Sequence, residues 1–168
     1  MAEPAYLRVT GVTQGDITAG AGSVNSVGNM FTEAHENESR IIEIKHSLMI
    51  PADPQSGQPT GQALHEPVMI TKLMDKASPL LANSLVTGED LVEVVISFFR
   101  TSGTDFELYA TWTLEQAKCV GIRSSLPDVL DPHKQQYGQL ERVYFSYGRI
   151  TWEHIAAGTS GSADFGSM

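Results

Sequence analysis

Alternation between apolar and polar positions dominates this chain and predicts a β protein. Ala5 to Thr10 reads as a first strand closed by Gly11. From Arg40 to Ile50 the pattern alternates, with Ile42, Ile44, His46 and Leu48 on one face and Ile41, Glu43, Lys45 and Ser47 on the other, which is the signature of a half-buried strand. Val68 to Leu73 is another strand. Leu91 to Arg100 is rich in Val, Ile and Phe, and Thr101 to Asp105 turns it into Phe106 to Leu114. Ala117 to Ser124 follows almost without a gap, across a bulge or a bend. Leu140 to Tyr147 and Ile150 to His154, joined at Gly148, read as a hairpin. A single helix is expected over 78–87, with Ser78 as N-cap, Pro79 in the first turn where its missing N–H costs nothing, a stripe of Leu80, Leu81, Leu85 and Val86, and Gly88 as the stop.

Between these elements lie three irregular stretches. Residues 15–28 are rich in Gly, Ser and Asn and leave room for one short strand near Ile17, and Met30 to Ser39 reads as a loop or a frayed turn. The most informative stretch runs from Pro51 to Pro67. Pro51, Pro54, Gly57, Pro59 and Gly61 exclude helix and sheet interior. A compact domain rarely keeps a structureless loop beyond about 12–15 residues unless the loop has a task. Fully extended, such a loop reaches roughly 50–60 Å, enough to lie on a neighbouring molecule. The sum is a mainly β fold, a compact β-barrel or two-sheet sandwich with one flanking α-helix and a long extended loop. The expected domain spans residues 1–157, and the Gly/Ser-rich residues 158–168 read as a flexible tail.

The chain has 168 residues, an ordinary globular composition of 41% hydrophobic and 18% charged residues, and a net charge of −9. Length and composition predict one self-sufficient domain. The acidic balance argues against nucleic acid and anionic membranes, both of which need clustered Lys and Arg. No run reaches the length of a membrane helix, so no membrane insertion is expected, and the first residues lack the apolar core of a cleaved signal. The lone Cys119 forms no internal disulfide and reads as a small buried hydrophobe.

The search for chemistry yields no catalytic constellation. The five histidines (His35, His46, His65, His133 and His154) stand at no metal-ligand spacing, so no metal or other cofactor is expected. His46 and His154 read as packed strand residues. His65, at the loop exit, is a turn contact or an intersubunit contact. Gly20-Ala-Gly22 is a turn, not a phosphate loop. Asp75 beside the helix start has a stabilising role rather than an acid–base one. Tyr144, Tyr147 and Trp152 are core or cross-strand residues, or else a ligand-binding face.

Taken in order, Gly15-Asp-Ile17, Ile42-Glu43 with His46, the loop residues Pro51, Asp53, Gly57, Thr60-Gly61, His65 and Pro67, the block Thr71-Lys72 to Asp75-Lys-Ala-Ser78-Pro79, and the closing Ile150-x-Trp152-x-His154 resemble the haemolysin-coregulated protein (Hcp) family, the tube proteins of the bacterial type VI secretion system. The resemblance spans nearly the whole chain. It implies a tight β-barrel, a homo-hexameric ring that stacks into a tube, and partners in a spike protein, a contractile sheath and small effectors carried in the lumen. It also implies a protein held in the bacterial cytoplasm and then secreted without a cleaved signal peptide. Subunit and ring-stacking contacts are expected from the extended loop, at Pro51, Asp53, Pro54, Gly57, Thr60, Gly61, His65 and Pro67. A monomeric barrel binding a small ligand in an internal cavity is the alternative. Two departures stand out: residues 23–39 are longer and more polar than the family pattern, and Asp164-Phe165 stands where the pattern expects a tryptophan after the acidic residue.

Overall fold

The computed structural model describes residues 3–136 and 138–164. The chain runs β1 (Ala5–Gly11), β2 (Gly15–Asp16), α1 (Val24–Val27), two 3-10 turns (Gly28–Met30 and Glu33–His35), β3 (Ser39–Lys45), β4 (Leu48–Met49), β5 (Leu64–His65), β6 (Val68–Leu73), α2 (Ala77–Thr87), β7 (Leu91–Ser102), β8 (Asp105–Ser125), a 3-10 turn (Pro132–Lys134), β9 (Leu140–Ser146), β10 (Arg149–His154) and β11 (Thr159–Asp164). Every strand pairing is antiparallel. The order β8-β7-β1-β3-β6-β9 closes on itself through the β8–β9 pairing, so six strands form a barrel, and β10 and β11 extend the sheet beyond β8.

The barrel interior is filled. Leu7, Val9, Val68, Ile70, Val94, Ile96, Leu114, Val143, Phe145 and Ile150 are fully buried within one cluster. Each comes from alternate positions of its strand, as a half-buried sheet requires. At about 25 cal/mol per Å² of apolar surface removed from water, this cluster is the main source of stability.

Five expectations need correction. Leu140–Ser146 and Arg149–His154 do not pair with each other. Both lie along β8, Arg149–His154 against residues 110–115 and Leu140–Ser146 against residues 118–125. The 21-residue β8 can serve both because it kinks at Gln116, the one non-glycine described residue with positive φ (52°), and Gly148 spans that kink by donating to the carbonyls of Glu115 and Gln116. A Cβ on Gly148 would sit 2.5 Å from Gln116 Oε1, so a larger residue at this crossing would have to displace the Gln116 side chain.

The expected flexible tail is instead ordered over Thr159–Asp164, which pairs along the full length of β10. Its Gly/Ser-rich composition hid a strand that contributes mainly backbone hydrogen bonds, with Ala163 its one side chain against the core. The remaining tail residues, 165–168, lie outside the described residues. In β3 a bulge between Ile41 and Glu43 buries Ile41 and turns Ile42 to solvent, reversing the predicted faces there. The helix begins at Ala77 without Ser78 as cap. Asp75 Oδ1 accepts from the Ala77 N–H at 2.9 Å, and Ser78 Oγ accepts from the Asp75 N–H at 3.0 Å. Gly88 ends it in the left-handed conformation, φ 69°, as expected. Finally, the long loop is not structureless: its two legs pair, as described below.

A buried polar cluster joins α2 to the barrel. Lys72 is fully buried, with Nζ 2.6 Å from Glu141 Oε1, 2.8 Å from Asp75 Oδ1 and 3.0 Å from the Leu73 carbonyl. Ser78 Oγ lies 2.6 Å from the same Glu141 oxygen. Burying an ammonium is tolerable only with such a complete set of acceptors. The cluster ties β6, β9 and the start of α2 together, so Asp75 has the structural role the sequence suggests.

Candidate functional site: an anchored arm on a closed barrel

The segment expected as an extended loop folds back on itself as a β-arm. Leu48 and Met49 pair with His65 and Leu64 in a separate two-stranded sheet, and an isolated bridge joins Ala52 to Pro59. A hairpin with about eight residues per leg reaches roughly 25–30 Å, half the extended estimate. Its tip supplies its own hydrogen bonds. The Asp53 N–H donates to the Gln58 carbonyl at 2.8 Å, the Gly57 N–H to the Asp53 carbonyl at 2.8 Å, and the Thr60 N–H to the Pro51 carbonyl at 2.7 Å. The Asp53 carboxylate accepts from the Gln55 N–H at 2.9 Å. That backbone donor first, and the Ser56 hydroxyl second, hold its carboxyl below the usual aspartate value. Gly57 and Gly61 take φ of 73° and 94°, which L side chains rarely adopt.

The structure places all the predicted loop residues on this arm or at its root, and separates them by task. Pro51, Asp53, Gly57 and Thr60 shape the tip; Pro54, Gly57, Thr60 and Gly61 are exposed; Pro67 is exposed at the root, where β6 begins. His65 makes an intramolecular contact. Its Nδ1 lies 2.7 Å from the Tyr147 hydroxyl, and His46 Nε2 lies 3.0 Å from that same oxygen. Both imidazole rings pack edge-on to the tyrosine ring, with centroids 5.8 and 5.5 Å away. Tyr147 is buried, which pushes its hydroxyl up to about 12, so it stays protonated and can donate to one histidine while accepting from the other. Burial first, and the neighbouring His65 second, hold His46 below its ordinary value of 6.5. This His–Tyr–His clamp joins both legs of the arm to the end of β9, and the Glu66 N–H donates to the Ser47 carbonyl at 3.2 Å across the base. The sequence marked His46, His65 and Tyr147 separately but carried no signal that they converge.

The arm exposes what a soluble surface normally covers. Leu48, Met49, Ile50 and Leu64 are 45–53% exposed and adjacent along the two legs. A rigidly anchored hairpin with an apolar base is suited to packing on another protein surface.

The rest of the candidate chemistry is structural. Cys119 is buried, and burial pushes its thiol up to about 11, away from reactivity. Trp152 stands directly opposite Trp112 across β10 and β8, and Phe98 packs against Trp112 with ring centroids 5.0 Å apart, so these aromatics are cross-strand packing. His154 Nδ1 accepts from the Ala157 N–H at 3.1 Å. Gly22 lies under the His35 carbonyl, 2.2 Å from where a Cβ would be, which marks a packed turn and not a phosphate cradle. Among the described residues, no group of three His, Cys, Asp or Glu side chains could hold a metal ion, and no helix is long and apolar enough to cross a membrane.

The structure is thus a filled, closed antiparallel barrel with α2 packed against it and an exposed, clamped arm. The comparisons with known proteins agree. The family profile described as "Type VI secretion system effector, Hcp" matches residues 6–154. The chain is 50% identical over 169 residues to the "Major exported protein" of Pseudomonas aeruginosa, covering 99% of this chain and 98% of that one. A solved structure of an Hcp protein superposes with a TM-score of 0.94 at 40% identity, covering 98% of each chain. The secreted protein Hcp3 from Pseudomonas aeruginosa superposes with a TM-score of 0.82 at 41% identity, over 98% of this chain and 99% of that one. The chain therefore belongs to the Hcp family, the secreted tube proteins of the type VI secretion system.

Proposed function

We propose that the chain is a tube subunit. Six copies close into a ring, the rings stack into a hollow tube, and the tube is driven out of the bacterial cell by a contracting sheath with a spike protein at its tip. Small effectors ride in the lumen, and the protein waits in the bacterial cytoplasm before it is secreted. Its role is structural, without catalysis. The observation that carries this reading is the arm: an apolar, half-exposed base at Leu48, Met49, Ile50 and Leu64, held in a fixed orientation by His46, Tyr147 and His65. In an assembled tube the arm lies on a neighbouring subunit or the next ring, with Pro51, Asp53, Pro54, Gly57, Thr60, Gly61, His65 and Pro67 forming or shaping the contact. Head-to-tail contacts of this kind close into rings when the rotation permits and continue into filaments when it does not.

A monomer binding a small ligand inside its barrel is the competing reading, and the fully buried side chains that fill the interior weigh against it. Size-exclusion chromatography with light scattering, followed by negative-stain electron microscopy of the peak, decides between them. The expected result is a particle of six times the 18.2 kDa chain mass, seen as rings with a central hole. A monomer at every concentration would overturn the tube reading.

A further inference from the structure

Two like-charge pairs of opposite sign face outward along β8, one near its C-terminal end and one at its middle. Near the end Arg123 on β8 stands directly opposite Arg142 on β9. At the middle, beside the kink, Glu115 on β8 stands directly opposite Glu93 on β7. All four side chains are exposed, while Leu114, Ala117, Cys119, Val143 and Val94 beside them face the core. Like charges directly opposite on neighbouring strands are unfavourable in an isolated sheet. The arginine pair is not neutralised locally, and the carboxylate pair only weakly. Among the described residues no carboxylate lies within ion-pair distance of Arg123 or Arg142, and none of the cations lies within that distance of Glu93. Glu115 has only Arg149 at 3.8 Å, a half-exposed surface pair of little strength.

The basic end is more than two arginines. The same cross-strand row continues through Thr71 to Glu43, and Lys134 from the loop before β9 lines the same cleft. Thr71 is buried in this row, and its hydroxyl oxygen has no hydrogen-bond partner. Glu43 is taken up by Lys45 at 3.0 Å and does not serve the arginines. The row therefore presents two guanidinium groups with no carboxylate partner, Arg123 lying 5.5 Å over the Tyr144 ring, on a chain whose net charge is −9.

We infer that Arg123 and Arg142 of one copy bind Glu93 and Glu115 of a second copy of this chain, in a head-to-tail contact between subunits. Eight residues of β8 separate the two pairs, roughly 25 Å along the strand, and they lie on its opposite edges. One molecule cannot bring its own pairs together across that distance, whereas a second copy can. The contact is heterologous, the type that generates rings and stacks. It presupposes the self-assembly proposed above and names a surface for it apart from the arm. Arg–carboxylate pairing of this kind also favours one alignment, because a slip leaves charges unpaired.

The test is a charge swap between molecules, read by light scattering. One variant carries Arg123→Glu and Arg142→Glu; the other carries Glu93→Arg and Glu115→Arg. Circular dichroism and melting, which surface changes leave near wild type, verify that each is folded. Each variant alone is expected to assemble about tenfold or more weakly than wild type, because four like charges then face each other. An equimolar mixture is expected to regain the wild-type mass, since each supplies what the other lost. Wild-type assembly by either variant alone, or a mixture that stays dissociated while both variants are folded, would overturn the contact and leave the ring reading intact. A wild-type chain that never assembles would overturn both.

Discussion

The barrel wall around Lys72 and the arm around Tyr147 solve the same problem, polar groups away from water, in opposite ways. Lys72 is fully enclosed, and its acceptors come from its own strand, from the start of α2 and from β9. Everything it needs is within one molecule. The arm satisfies its own backbone at the tip and is anchored at the root, but it leaves Leu48, Met49, Ile50 and Leu64 half in water. The first region stabilises the fold within one chain, and in the proposed assembly the second is finished by another molecule. Stability and assembly are therefore expected to respond to different residues.

Lys72→Ala tests the first half of that contrast most severely. It leaves Glu141 and Asp75 buried without their cation, a loss of about 3–5 kcal/mol. Thermal or urea unfolding should register it; a wild-type melting curve would show that the cluster is not holding the barrel. Tyr147→Phe removes the hydroxyl that both histidines share and should cost about 1–3 kcal/mol through stranded imidazole nitrogens, with faster amide exchange confined to 46–66. Exchange that rises uniformly across the barrel instead would deny the clamp a local role.

Acid should act at the same point. His46 is held below its ordinary value in the folded protein, so as pH falls through 6.5 the unfolded chain takes up this proton before the folded one does. The stability from a neutral His46 is thus complete above that value and is lost as pH drops below it. Melting temperature should decline from pH 7.5 to 5.5 in the wild type and decline less in His46→Asn. Parallel slopes for the two proteins would mean that other groups carry the acid response. The smallest effect is expected from Cys119→Ala. Cys119 is a buried hydrophobe with an unreactive thiol, so a modest loss of packing stability with unchanged assembly should follow.

The sequence showed most of the barrel, because its strands announce themselves by alternation and α2 by its punctuation at Pro79 and Gly88. It misled where backbone geometry overrides pattern. A glycine between two alternating runs normally signals a hairpin, yet Gly148 instead crosses the kink that Gln116 puts in β8. The Ile41–Ile42 pair gave no hint of the bulge that decides which is buried. Thr159–Asp164 has almost no apolar content, so a strand held mainly by its ladder to β10, with only Ala163 packing against the core, was invisible. The arm was legible as a segment with a task because prolines and glycines exclude it from the barrel. Its hairpin pairing and its clamp were not legible, because residues 46, 65 and 147 meet only in three dimensions.

Removing residues 54–61 tests the division between a self-sufficient barrel and an arm completed by a neighbour most directly. The shortened chain and the wild type are compared by melting and by electron microscopy under tube-forming conditions. The account predicts a melting temperature close to wild type together with loss of stacked tubes. Tubes that form as before, or a shortened chain that no longer folds, would contradict it.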